Sequence, residues 1–201
     1  MQQTVDLLLV GFRESAPQAW PDHASALQEV HASFGSHHIS RVALQPPHTV
    51  AGWISGKAHY GGHVWEIHPL VVHPTQRGHG IGRALVHDFE ARVRERGAQT
   101  LWLGTDDEQG ATSLAGVDLY AQLWEHIANI QNMHHHPYTF YQKLGFVIVG
   151  VLPDANGLRH HRWHTTCSWG DWLVGERASL CHVTGVGATY ASTHRHLCDR
   201  I

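Results

Sequence analysis

Three features are scarce in this sequence: long apolar runs, cysteine and an excess of basic charge. No apolar segment approaches the roughly 20 residues needed to span a bilayer, so we expect no membrane helix. The three cysteines, Cys167, Cys181 and Cys198, all lie near the end of the 201 residues, which is a poor basis for a disulfide framework. A formal net charge of -3 gives no basic surface for a phosphate backbone, which argues against a nucleic-acid partner.

The start of the chain also lacks the basic segment of a signal peptide, so a cytoplasmic location is expected. Hydrophobic residues make up 42% of the sequence and charged residues 15%, a balance typical of a packed globule. The length suits one domain. We expect that domain to span residues 1–157, followed by a C-terminal extension of uncertain structure over residues 158–201, where no hydrophobic period is evident.

Local patterns predict an α/β fold in which a mixed sheet carries helices on both faces. In residues 25–34, Leu27, Val30, His31 and Phe34 would share one helical face, and Pro69 should interrupt the strand around it. Predicted helices cover residues 5–12, 25–34, 80–96, 121–132 and 137–144. Predicted strands cover residues 41–44, 50–54, 64–72, 100–104 and 146–152.

A glycine-rich loop leads into the most regular predicted helix. Unpaired backbone N–H groups at a helix start form an anion site, and glycines let a phosphate approach the backbone. The segment matches neither a Walker loop nor the dinucleotide fingerprint, and a turn that merely starts a helix remains an alternative. The loop residues are Arg77, Gly78, His79, Gly80, Ile81 and Gly82.

This loop resembles the pyrophosphate loop of the GNAT acetyltransferases, which have the pattern Arg/Gln-x-x-Gly-x-Gly/Ala. The resemblance implies a mostly antiparallel twisted sheet that is splayed at a bulge near Pro69. It also implies acetyl-CoA as cosubstrate, with the pantetheine arm along the preceding strand. The implied cofactor contacts are Leu70, Val71, Val72, Arg77, Gly78, His79, Gly80, Ile81, Gly82, Arg83 and Tyr141.

A narrower resemblance links residues 65–72, 103–107 and 136–146 to the aminoglycoside 6'-N-acetyltransferases. It implies transfer of an acetyl group to the 6'-amine of the antibiotic by direct attack on the thioester, resistance to the drug and a homodimer. Because aminoglycosides are polyammonium sugars, acids should line their cleft. The implied substrate contacts are Trp20, Asp22, Trp65, Glu66, Asp106 and Asp107. A solvated turn remains the alternative for the acidic residues 106–108.

Acetyl transfer to an amine needs a neutral amine, a stabilised oxyanion and a proton for the departing thiolate. By resemblance, Glu66 takes or relays the amine proton with His68 beside it. The backbone N–H of Leu70 would polarise the thioester carbonyl, and Tyr141 would act as general acid. Without the resemblance, Tyr141 would more simply be a core aromatic residue.

Two other functions fit parts of the sequence. A GNAT enzyme that modifies a different amine, such as a polyamine or a protein lysine, would share the cofactor site. A His-rich metal-binding or coenzyme-sensing protein without turnover is the second alternative. The histidine and cysteine spacings after residue 158 match no zinc module, so we expect no metal.

Overall fold

Five helices and six strands make up the computed structural model, which describes residues 1–156, Leu158 and the backbone of the strand 162–168. The helices are α1 (Gln2–Phe12), α2 (His23–Ala32), α3 (Ile81–Glu95), α4 (Leu123–Ala128) and α5 (Tyr138–Gln142). The strands are β1 (His38–Gln45), β2 (Thr49–His59), β3 (Val64–Val72), β4 (Thr100–Asp106), β5 (Val147–Leu152) and β6 (Arg162–Ser168).

All six strands join one sheet in the order β1-β2-β3-β4-β6-β5. Only β3 and β4 run parallel, and the other neighbours are antiparallel. The predicted mixed, mostly antiparallel sheet is therefore confirmed. The helix predicted over residues 5–12 is confirmed as α1, and the strands predicted over residues 41–44 and 50–54 are confirmed as parts of the antiparallel pair β1 and β2.

The sheet is splayed between β3 and β4. Their pairing covers three positions and ends where Glu66 faces Trp102. Opposite β2, the register passes from the Ile54–Leu70 pair to the Gly56–Ile67 pair, so β3 holds one extra residue at His68 and Pro69. This bulge lies where the splay was expected, but β3 continues through Pro69 instead of being interrupted.

The bulge also changes which face of the sheet each β3 side chain covers, because an extra residue reverses the alternation of a strand. Before it, Trp65 and Ile67 pack into the core beneath α3. After it, Val71 packs into the second core, beneath α1 and α2. A Cβ on Gly56 would overlap the carbonyl oxygen of Glu66, so glycine permits the close approach of β2 and β3 at this point.

Helix α3 has the apolar spacing expected of a helix that covers a sheet. Leu85, Val86, Phe89 and Val93 are all buried. The helix ends before Gly97, whose φ of 81° suits the left-handed position that commonly follows a helix.

Two helix predictions were partly wrong. Helix α2 buries Ala26 and Val30 and ends at Ala32, so Phe34 lies beyond it and is 62% exposed. Helix α4 is shorter than the predicted span 121–132. Its downstream residues turn away because Asn132 forms a bridge with Thr112, which takes the backbone out of helical pairing.

Strand β6 lies between β4 and β5 in the sheet. The compact unit that contains it runs from Met1 to Trp169, so the sheet extends past the boundary expected after residue 157. The remainder of the predicted extension, including Cys181, Cys198 and the late histidines, lies outside the described residues. Within the described part of the chain, no helix has the length and apolar character that crossing a membrane requires.

Candidate active site

Glu66 lies on β3 at the last position that pairs with β4. Its register partners are Lys57 on β2 and Trp102 on β4. The carboxylate is 13% exposed, and its Oε2 lies 2.9 Å from Nε2 of His59 and 3.9 Å from Nζ of Lys57. The splay therefore places a mostly buried carboxylate at the point where the two halves of the sheet separate.

A cavity of about 320 Å³ opens beside Glu66. Burial lowers the pKa of His38, so its imidazole is neutral at pH 7. The cavity then has two carboxylates and one ammonium group, and this acidic excess favours a cationic ligand. The lining residues are Glu29, Ala32, His38, Lys57, Glu66 and His68.

The side chain of His68 reaches the loop that precedes α2. Its ring centroid lies 5.8 Å from that of Trp20, and Trp20 packs edge-on against Phe12 at 4.8 Å. Trp20 and His68, two residues that the resemblance assigned to the site, thus meet at the wall of the cavity that contains Glu66.

The glycine-rich loop has the shape expected of an anion cradle. Gly78 and Gly80 have φ values of 82° and 83°, and a Cβ at either position would meet nothing within 4 Å. Gly80 is the N-cap of α3 and supplies no side-chain cap, so the first backbone N–H groups of α3 are available to a phosphate. These residues fit the pyrophosphate of coenzyme A.

The guanidinium of Arg77 hydrogen-bonds to two backbone carbonyls. Its Nη2 donates to the carbonyl of Gly11 at 2.7 Å and its Nε to the carbonyl of Val72 at 3.3 Å. The guanidinium ties the loop to the end of α1 and to the end of β3. Arg77 therefore helps to shape the glycine-rich loop, and its role as a cofactor contact stays a prediction.

The strand that leads to this loop has an edge that β4 leaves unpaired. Pairing with β4 ends at Glu66, whereas β3 continues to Val72. The Val71 side chain is buried in the core, so the backbone is the part of this segment that can face a ligand. This geometry fits a pantetheine arm that hydrogen-bonds along residues 70–72.

Tyr141 on α5 is 8% exposed. Its ring packs edge-on against Phe140 and Phe146 at 5.0 Å and 5.7 Å. Burial raises the pKa of the phenol well above its ordinary value, so the hydroxyl is protonated at neutral pH. Tyr141 is thus both a core aromatic residue and a competent proton donor.

The acidic residues 106–108 lie at the end of β4 and in the loop that follows it. Asp106 is four positions beyond Trp102, which corresponds to roughly 13 Å along a strand, and its carboxylate accepts from Asn156 at 2.9 Å. The buried Asp107 organises the β4 loop, residues 107–112. Its carboxylate accepts from the backbone of Ala111 and from both the backbone and the hydroxyl of Thr112.

Two further expected substrate contacts have structural roles. Asp22 caps α2, and the hydrogen bond from the Ser25 backbone holds the pKa of its carboxyl below its ordinary value. Trp65 is 2% exposed in the core beneath α3, where it contacts Phe89 and Arg96. The expected direct contact between Trp65 and substrate is not supported by this placement.

Lys57, His59 and His38 were missed by the sequence interpretation. Lys57 and His59 are polar residues two apart on an otherwise buried strand, which is a signal that their side chains share one face. The signal does not reveal what they face, because the pairing of Lys57 with Glu66 depends on the register of β2 and β3. Among the described residues, no three His, Cys, Asp or Glu side chains form a group suited to a metal ion.

Residues 2–123 match the model of the acetyltransferase (GNAT) family. Together with the splayed mixed sheet and the glycine cradle, this match shows that the chain belongs to the GNAT acetyltransferase family. A comparison with curated proteins found no significant match.

The chain is similar to solved structures of aminoglycoside 6'-N-acetyltransferases. One, complexed with coenzyme A, is 38% identical with a TM-score of 0.75, and the match covers 83% of this chain and 89% of that chain. A second, from Enterococcus faecium, is also 38% identical over the same shares, with a TM-score of 0.74. A third, described as type Ii, is 33% identical with a TM-score of 0.61 and covers 83% and 88% of the two chains.

Proposed function

We propose that this protein transfers the acetyl group of acetyl-CoA to the 6'-amine of aminoglycosides. The observation that carries the proposal is the acidic cavity beside Glu66, whose lining residues come from α2, β1, β2 and β3. A polyammonium sugar suits a cavity with an excess of carboxylates. The similarity to aminoglycoside acetyltransferases over 83% of the chain supports the same acceptor.

Bound acetyl-CoA supplies a thioester whose carbonyl carbon the amine attacks. In the proposal the backbone of the glycine cradle holds the pyrophosphate, and the free edge of β3 holds the pantetheine arm. Glu66 accepts the ammonium group of the acceptor and takes or relays its proton, which leaves a neutral nucleophile. His68, packed on Trp20, assists at the wall of the cavity.

Two further groups complete the proposed chemistry. The backbone N–H of Leu70, close to the bulge, would donate to the carbonyl oxygen as negative charge develops there. Tyr141 would protonate the departing thiolate. The phenol carries its proton at neutral pH, and its family position, not its raised pKa, is the ground for this role, because a higher pKa makes the phenol a weaker acid.

The test is thiol release from acetyl-CoA with kanamycin, spermidine and a lysine peptide as separate acceptors, for wild type and Tyr141→Phe. We expect release with kanamycin alone and a slower rate in Tyr141→Phe with an unchanged KM for acetyl-CoA. Mass spectrometry should place the acetyl group on the 6'-amine. Release with spermidine or the peptide, and none with kanamycin, would replace the proposed acceptor with another amine.

We further propose a homodimer, as the resemblance implies. Strand β5 is an edge strand, and it exposes apolar side chains at Val147, Val149 and Leu152. Such a surface suits contact with another chain. Light scattering of the purified protein should give twice the chain mass, and a monomer mass alone would remove this proposal.

A further inference from the structure

The two oxygens of the Glu66 carboxylate have different contacts. His59 and Lys57 both approach the same oxygen, Oε2, at 2.9 Å and 3.9 Å. Among the described residues, Oε1 has no hydrogen-bond or ion-pair partner. One oxygen is therefore occupied by protein groups, and the other is available to a ligand.

The contact with His59 is the stronger of the two. A carboxylate only accepts hydrogen bonds, so Nε2 of His59 must carry the hydrogen. The distance of 2.9 Å is that of a good N–H donor to oxygen. Lys57 lies at 3.9 Å on a side chain that is 50% exposed, and such ion pairs contribute little.

The ring of His59 lies near two other aromatic rings. Its ring centroid lies 6.2 Å from that of Trp102 and 6.5 Å from that of Tyr60. The side chain is 31% exposed. His59 is therefore a partly buried donor whose orientation is limited before any acceptor binds.

We propose that His59 is a positioning residue that fixes the Glu66 carboxylate for the acceptor amine. This inference rests on the acetyl transfer proposed above. By donating to Oε2, His59 fixes that oxygen and keeps Oε1 for the ammonium group. The gain is one of orientation, since a carboxylate held in one rotamer meets the reacting amine without first being ordered.

The test compares His59→Leu, which removes the donor, with His59→Gln, whose amide N–H can replace it. His63→Leu is the matched control, because His63 is an exposed histidine of the same turn. In His59→Leu we expect kcat/KM for kanamycin to fall by up to about 100-fold, the scale of a misplaced reacting group. The KM for acetyl-CoA should not change, His59→Gln should recover most of the loss, and His63→Leu should match wild type.

Two kinetic outcomes would overturn the proposal. One is a His59→Leu enzyme with wild-type kcat/KM for kanamycin. The other is a loss that affects the acetyl-CoA KM and the melting temperature equally and is not recovered by glutamine, since this pattern marks a general structural role.

Crystal structures of the wild type and of both His59 variants without substrate supply a second measurement, independent of turnover. We expect Glu66 Oε2 within hydrogen-bond distance of residue 59 in wild type and in His59→Gln, and a displaced carboxylate in His59→Leu. A Glu66 side chain that does not move in His59→Leu would overturn the positioning role. Failure of the wild type to acetylate kanamycin, in contrast, would count against the proposed acceptor. The position of Glu66 in the three crystal structures would still test whether His59 orients the carboxylate.

Discussion

Two regions of this molecule carry buried or mostly buried carboxylates, and these carboxylates differ in what they contact. In the β4 loop, both oxygens of Asp107 accept hydrogen bonds from the loop itself. On β3, only one oxygen of Glu66 contacts protein side chains. A carboxylate whose two oxygens both accept hydrogen bonds from its own loop stabilises structure, whereas one with a free oxygen beside a cavity is available for chemistry.

The largest expected effect comes from Glu66→Gln. Loss of a positioned base lowers kcat/KM for kanamycin by about 10²- to 10⁴-fold. The amide oxygen still accepts from His59, so the free energy of unfolding should change by no more than about 1 kcal/mol, the usual net contribution of one hydrogen bond. Thiol-release kinetics and urea denaturation measure the two quantities. Full activity in Glu66→Gln would remove the distinction between the two carboxylates.

Asp107→Asn should lower the stability of the protein and leave its activity largely unchanged. An asparagine NH₂ group at this position must face either the N–H of Ala111 or the donors of Thr112. A buried group with an unmet hydrogen bond costs about 1–3 kcal/mol, so the urea midpoint should fall.

Glu108→Gln is the control for Asp107→Asn, because Glu108 is an exposed neighbour of the same loop and its replacement should leave stability unchanged. If Asp107→Asn kept its stability and lost acetylation of kanamycin, the substrate contact expected from the sequence would be restored.

The smallest expected effect comes from His136, whose titration should make the stability of the protein depend on pH. This buried side chain joins β4 to the start of α5, because its Nε2 contacts the carbonyl of Asp106 and its Nδ1 accepts from the N–H of Tyr138. Burial lowers the pKa of His136 below the ordinary value of 6.5, against the opposing charge of Asp107.

The unfolded chain therefore binds a proton at a higher pH than the folded chain, so stability falls as pH decreases below 6.5. His136→Gln removes this titration and should reduce the slope of unfolding free energy against pH between about pH 7 and pH 5. Urea titrations at several pH values measure the slope. An identical slope in the two proteins would show that His136 does not titrate as its burial implies.

Much of the fold was predictable from local pattern. The apolar spacing of α3, the glycine that follows it and the two prolines between β1 and β2 are local signals, and each predicted element exists. Pro69 indicated an irregular strand, because proline cannot donate to a sheet. The short α4 was not predictable, since the bridge between Thr112 and Asn132 depends on residues far apart in sequence.

The candidate site was predictable only through resemblance, and then in part. Glu66 and Tyr141 were named as site residues, and their catalytic roles stay predictions. His59 and Lys57 were missed because their meeting with Glu66 depends on strand register, which a bulge shifts by one residue. Trp65 lies next to Glu66 in sequence, but adjacent strand residues point to opposite faces.

The position of β6 determines the order in which the sheet is completed. Ribosomes make the chain from its first residue onwards, so β4 and β5 both exist before the strand that separates them in space. Until residue 168 has been synthesised, β5 lacks its sheet partner and β4 can pair only with β3. Closure of this half of the sheet is therefore a late and non-local event, of the kind that slows folding and leaves strand edges open to other chains.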